Sequence, residues 1–250
     1  MLAAVDDYLQ GLATGTAAPV HSGTSKFTNY ENNKTVDITT GIMTRGFTVD
    51  HNRTIVDLLD CATYTEVVAT VSQDHFTKYV IGVQMRYSLD DNTIYEMDSV
   101  VTTNGSWAFN GTSTLQRVKA ENWNVLPQAK RSSRAELRRV ADAYLDMWTN
   151  KSAIAAIPWG DGCKRVEGGN YYSCPAGIPT NNSQLPNSHR RYVIDETVGS
   201  VDVISVWEHL NDTIDSHEFR LESGKLHFVH AMAWTDNRKC AEEREGWRCR

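Results

Sequence analysis

The chain carries one pattern twice. Val5-Asp6-Asp7-Tyr8-Leu9 aligns with Ala141-Asp142-Ala143-Tyr144-Leu145, and at the same offset Glu31-Asn32-Asn33 falls on Glu167-Gly168-Gly169 without a gap. Further along, "NRTIVD" lies on "RRYVID", which pairs Arg53 with Arg191 and Asp57 with Asp195. The two long hairpins then coincide, with Gln84 on Glu218, Arg86 on Arg220 and Asp98 on His230. A duplication of this kind limits the fold strongly, because each copy must be one supersecondary unit that packs beside its twin.

Each copy opens with a helix pattern. Leu2, Val5, Leu9 and Leu12 recur at helical spacing before Gly15, and Arg134 to Asn150 repeats the pattern more strongly. Irregular chain follows, then several strands joined by hairpins. The expectation is an α+β protein of two tandem modules. The first covers residues 1–114 and the second 134–236, joined by a polar, Pro127-containing linker at 115–133 and followed by a polar, cysteine-containing tail at 237–250.

With 31 acidic against 25 basic residues and a formal charge of −6, the chain lacks the concentrated positive charge that phosphate backbones require. No nucleic-acid partner is expected. Its apolar runs fall far short of the roughly 20 residues that cross a bilayer as a helix, so no membrane span is expected. Asn-x-Ser/Thr acceptors stand at Asn33, Asn52, Asn104, Asn110, Asn150, Asn181 and Asn211. Composition alone gives roughly two or three, and the excess points to a glycosylated, secreted protein. Cysteine usage agrees: Cys163 and Cys174 bracket a short Gly- and Tyr-rich loop that a disulfide can close, leaving Cys61, Cys240 and Cys249. Met1 to Gly15 carries early acids and no long apolar centre, so the sequence reads as a mature form.

A helix laid over a bent antiparallel sheet leaves a conical pocket. The blocks "YENN", "DHNRTIVDLLDCATYTE", "DSVVTTNGSWAFN", "ADAYLD", "IPWGDGCKRVEGG", "RRYVIDETVGSVDV" and "DSHEFRLESGKLHFVH" resemble a secreted fungal SnoaL-like family of unknown function, with the nuclear-transport-factor-like cone fold. That resemblance implies tandem cone modules, each a helix on a strongly curved sheet. It implies a reaction only weakly, since relatives of the fold include isomerases, cyclases, dehydratases, hydrolases and binding modules.

For chemistry, His230 and its counterpart Asp98 are the first candidates, because both copies place a titratable group at one position where a core site favours apolar residues. His217, which strand alternation puts with Phe219 and Leu221 opposite Glu218 and Arg220, is a packing histidine or a partner setting the tautomer. Tyr192 and Glu196 share a face and could orient a phenol, ketone or enol. The repeated Arg-x-x-x-Asp of Arg53/Asp57 and Arg191/Asp195 reads as a stitch between strands. Trp107, Trp159, Trp207 and Trp234 suit the wall of an apolar pocket. No metal-ligand spacing, phosphate loop or nucleophile elbow is present, so neither metal nor cofactor is expected. The resulting expectation is a cofactor-independent enzyme of fungal natural-product chemistry. It would isomerise, dehydrate or cyclise a hydrophobic small molecule, a cycloaddition included. The rival is a secreted binding or interaction module without turnover, and either form could self-associate as a homodimer.

Overall fold

A computed structural model describes residues 1–20, 27–90 and 93–235. Helix α1 (Leu2–Thr14) buries Val5, Tyr8 and Leu12 and stops at Gly15, whose φ of 73° the missing Cβ permits. It precedes strands β1 (Thr28–Glu31), β2 (Lys34–Thr35), β3 (Phe47–Asp57), β4 (Ala62–Val71), β5 (Lys78–Tyr87) and β6 (Ile94–Thr102). After helix α2 (Gly111–Ala120), the pattern starts again with helix α3 (Arg134–Asp146). There the Ser133 side chain accepts the Glu136 N–H as an N-cap. Strands β7 (Trp159–Glu167), β8 (Asn170–Ser173), β9 (Asn187–Asp195), β10 (Ser200–Trp207), β11 (Thr213–Glu222) and β12 (Lys225–Ala233) complete the second unit.

The chain is α+β, with two six-stranded sheets ordered β2-β1-β6-β5-β4-β3 and β8-β7-β12-β11-β10-β9. Their registers repeat. Ile55, Tyr64, Gln84, Asp98 and Tyr30 form one row across the first sheet, and Val193, Asp202, Glu218, His230 and Val166 form the same row across the second. The aligned pairs therefore occupy equivalent places in space. β1 and β7 run parallel to β6 and β12, while the other pairings are antiparallel.

Each sheet has one face under its own helix and the other against the opposite sheet. Under α1 the core is Val67, Ile81, Val83, Met85 and Met97, and under α3 it is Val201, Val203, Phe219, Leu221 and Val229. Between the sheets, Val68, Val80 and Val100 meet Ile204, Val206, Ile214 and Met232, with Val118 of α2 closing the edge. Both faces being covered, β5 is buried along nearly its whole length although Gln84 and Arg86 are polar. Alternation alone gives Leu226 the face of Phe228 and His230, yet Leu226 joins the core under α3, because the register shifts between Arg220 and Leu221.

The stretch expected as a linker is more structured than its polarity indicates. Its first residues complete α2, Leu126 is buried, and the Trp123 ring lies 3.6 Å from the Arg53 guanidinium. Cys163 and Cys174 form the expected disulfide, Cα atoms 5.3 Å apart, and Cys61 is a free thiol. Cys240 and Cys249 lie outside the described residues. The sequon asparagines Asn33, Asn52, Asn104, Asn110, Asn150, Asn181 and Asn211 are all exposed. Among the described residues no helix is long and apolar enough to cross a membrane.

Candidate active site

Strand β11 runs beneath α3 and turns Asp215, His217 and Phe219 toward the helix. The His217 ring lies 5.8 Å from Tyr144 of α3 and 6.0 Å from Phe219. Beyond these rings, Asp215 and His217 line a narrow cleft that is open to solvent, with an interior volume of about 20 Å³. Trp107, Trp148 and Trp207 form its aromatic wall, and Asn187 and Glu167 add polar groups.

Within this cavity Asp215 Oδ1 accepts a hydrogen bond from Ser205 Oγ at 2.6 Å, and Asp215 Oδ2 lies 3.5 Å from His217 Nδ1. Asp215 Oδ2, His217 Nδ1 and Trp207 Nε1 are all buried without a hydrogen-bond partner. Three such atoms on one cavity form a set that a ligand could satisfy, since buried polar groups normally find partners. Burial pushes the Asp215 carboxyl up to about 7, against the Ser205 hydrogen bond and the fields of Arg190 and Arg191. Burial also drives His217 down to about 3, helped by the Arg165 and Arg190 cations. Both shifts favour the neutral forms, leaving a proton on the carboxyl at acid pH and a free lone pair on the imidazole.

The other copy shows that the fold does not need these groups. By the shared register, Asp215, His217 and Trp207 correspond to Ile81, Val83 and Ala69, and Asn187 corresponds to Val49. Ile81, Val83 and Ala69 are fully buried parts of an apolar core under α1. The same backbone thus packs with hydrocarbon in one module and with an acid, an imidazole and an indole in the other.

The remaining sequence candidates lie elsewhere. His230 is on the opposite face of its sheet, in the seam between modules, 2 % exposed, with Nδ1 2.9 Å from Glu66 and Nε2 2.6 Å from Glu121. Those carboxylates hold it protonated, up to about 10 against the opposing effect of burial. Neither ring nitrogen is left for a substrate. Asp98 occupies the matching position and pairs with Arg191 across the seam at 2.5 Å. Tyr192 donates to Asp142 of α3 at 2.6 Å, and Glu196 accepts the Arg134 N–H at 2.7 Å, so the two serve the placement of α3 and do not converge on the cavity. His230, Asp98, Tyr192 and Glu196 are therefore separated from His217, which the sequence ranking placed below His230.

Glu66, Glu218 and His230 bring three potential metal-ligand atoms within 4.8 Å of one another. Arg53 already bridges the two carboxylates, 2.5 Å from Glu218 and 2.9 Å from Glu66, and His230 supplies a second cation. The cluster is neutralised by the chain's own side chains, so a metal ion would have to displace both.

Sequence reasoning passed over Asp215 and Asn187. Their signal lies in the repeat itself, at positions where one copy is apolar and the other polar. Of the tryptophans singled out, Trp107 and Trp207 line the cavity, whereas Trp159 packs on Tyr144 and Trp234 lies under Lys34. No curated protein and no solved structure matches the chain. A family model described as a domain of unknown function (DUF8021) matches residues 130–233, the span of the second helix-and-sheet unit.

Proposed function

We propose that the second module is an acid–base active site working without a cofactor on a small, largely apolar molecule, by isomerisation, dehydration or ring closure. The observation carrying this reading is that Asp215 Oδ2 and His217 Nδ1 are buried without a hydrogen-bond partner where the sister module has the core residues Ile81 and Val83. An ionisable pair that the fold can replace with hydrocarbon has a cost in stability, which function would offset. Asp215, poised near neutrality, moves the proton to or from the substrate; His217, kept neutral 3.5 Å away, orients the substrate through its unpartnered Nδ1. The indole rings orient a flat substrate and exclude water, so the reacting conformer is preorganised. Such a step transfers protons, and at most releases water, without net oxidation. The polar pair favours this reading over a purely apolar binding module.

The test is conversion of a panel of hydroxylated polyketide-like compounds by the full chain, followed by mass spectrometry for products of unchanged mass or lacking one water. Asp215→Asn and His217→Gln should abolish conversion, and His230→Gln should retain it in the folded fraction. Conversion that survives Asp215→Asn refutes the site.

The wider reading is a secreted glycoprotein of two SnoaL-like cones. It is supported by the disulfide, the exposed sequons and the matched helix-on-sheet units. Glycosidase treatment of the protein from a secreting fungal host should lower its mass, and unchanged mass removes that support.

A further inference from the structure

Trp107 belongs to the first module in sequence but to the second in space. It lies in the loop after β6, and its ring stands edge-on to Trp207 at 5.7 Å, inside the wall of the Asp215–His217 cavity. Its N–H reaches Ala233 O at 3.2 Å, and its Nε1 reaches Glu167 Oε1 at 3.3 Å. Two further bonds hold the loop, from Asn110 N–H to Gly168 O at 2.5 Å and from Ser113 Oγ to Gly169 O at 2.6 Å.

The two copies differ here in a telling way. In the first module Asn32 seals its own strand end, its side chain bonding Val101 N–H at 2.7 Å and Val101 O at 3.1 Å. Its counterpart in the second module is Gly168, which has no side chain, and the residue matching Val101 is Ala233, whose carbonyl Trp107 takes instead. A Cβ on Gly168 would stand 2.4 Å from Trp107 O, and one on Gly169 would stand 2.5 Å from Asn110 O. The glycine pair thus makes room for a loop of the other module, and that loop delivers an indole to the cavity.

We propose that Trp107 is the specificity-determining wall of the second module's site, and that the first module, its own cone filled, serves that site by holding this residue in place. The proposal rests on the reading of the cavity as a ligand site.

The experiment measures binding of phenol and 2-naphthol to the full-length chain by calorimetry, for the unaltered protein, Trp107→Ala, Trp107→Phe and Asp215→Asn. The unaltered chain should favour phenol. Removing the indole should shift the 2-naphthol to phenol affinity ratio by about tenfold or more toward the larger ring, with a smaller shift in Trp107→Phe, which also serves if the alanine variant does not fold. In parallel, NMR titration should show His217 rising from its depressed value toward that of free imidazole as water enters. An affinity ratio within twofold of the unaltered chain in the folded variants, with His217 unmoved, overturns the role of Trp107 while leaving the site intact. Absence of binding by every form, or binding indifferent to Asp215→Asn, overturns the site and the proposal with it.

Discussion

Asp57 and Asp195 exchange places across the seam: Asp57 Oδ2 accepts the Ile194 N–H at 2.9 Å, and Asp195 Oδ2 accepts the Val56 N–H at 3.0 Å. The donors are themselves equivalent positions, so the contact is reciprocal, as a twofold relation between modules requires. Arg53 and Arg191 follow the same logic, the first reaching Glu218 and the second Asp98 in the opposite unit. The repeated Arg-x-x-x-Asp is thus a stitch between modules, and Arg53 also ties β3 to its neighbour β4 through Glu66, 2.9 Å away.

Asp195→Ala should cost about 2 kcal/mol, because it leaves the half-buried Val56 N–H unpaired and removes the bonds from Thr197. Asp57→Ala should cost more, since Arg134 and two further backbone N–H groups also bond that carboxylate. Urea unfolding of both single variants and the double variant should show non-additive losses; strict additivity would mean that the two contacts hold independently.

His230 gives the seam a pH dependence. Its folded pKa, about 10, lies above the unfolded value, so its stabilisation is complete below about pH 6.5 and fades as pH rises toward 10. Glu66, held down to about 2 by His230 and Arg53 despite its burial, acts oppositely: its stabilisation is present above about pH 4.5 and fades as pH falls toward 2. His230→Gln should therefore lose roughly 3 kcal/mol at pH 6, and the difference from the unaltered chain should shrink toward pH 10. Thermal melts across that range measure it, and a pH-independent difference would contradict the charged state of the ring.

Replacing the site by its sister's residues, as Asp215→Ile with His217→Val, should abolish activity and stabilise the fold by about 1–3 kcal/mol. The two single variants should differ in pH dependence. The gain from Asp215→Ile should grow as pH rises from 4 toward 7, where the unfolded chain ionises this carboxyl and the folded chain does not. The gain from His217→Val should be largest near pH 4 and fade by about 6.5, so the double variant should vary little between them. Chemical denaturation at two pH values checks this; a destabilised variant would mean that the polar pair is structural.

If Asp215 transfers the proton, kcat/KM should show an ionisation near 7, rising with pH if the carboxylate acts as base and falling if the acid form acts. A profile titrating instead near 10 would implicate the seam histidine.

Gly168→Ala should cost about 2 kcal/mol or more, because φ is +58° and the new Cβ would meet backbone atoms of Trp107 and Ala108 that cannot rotate away. Heat-induced unfolding measures the loss, and a neutral substitution would show that the inter-module loop yields.

The sequence by itself determined the duplication, the helix-and-strand content of each copy and the Cys163–Cys174 bridge, because these follow from local periodicity, matched spacing and short loop closure. It also determined that Asp98 and His230 are equivalent, which the strand registers repeat residue for residue. What it did not contain was which face of β11 and β12 meets the helix and which meets the other sheet. When both faces of a strand are buried, alternation separates Asp215 and His217 from Glu218 and Arg220 without saying which set lines a cavity. That choice depends on contacts far apart in the chain: Glu66 and Glu121 closing on His230, and Trp107 crossing to Trp207. Only the tertiary structure turns one histidine into a buried cation between carboxylates and leaves the other neutral with a free nitrogen, because charge state follows from partners and burial, which local sequence does not encode.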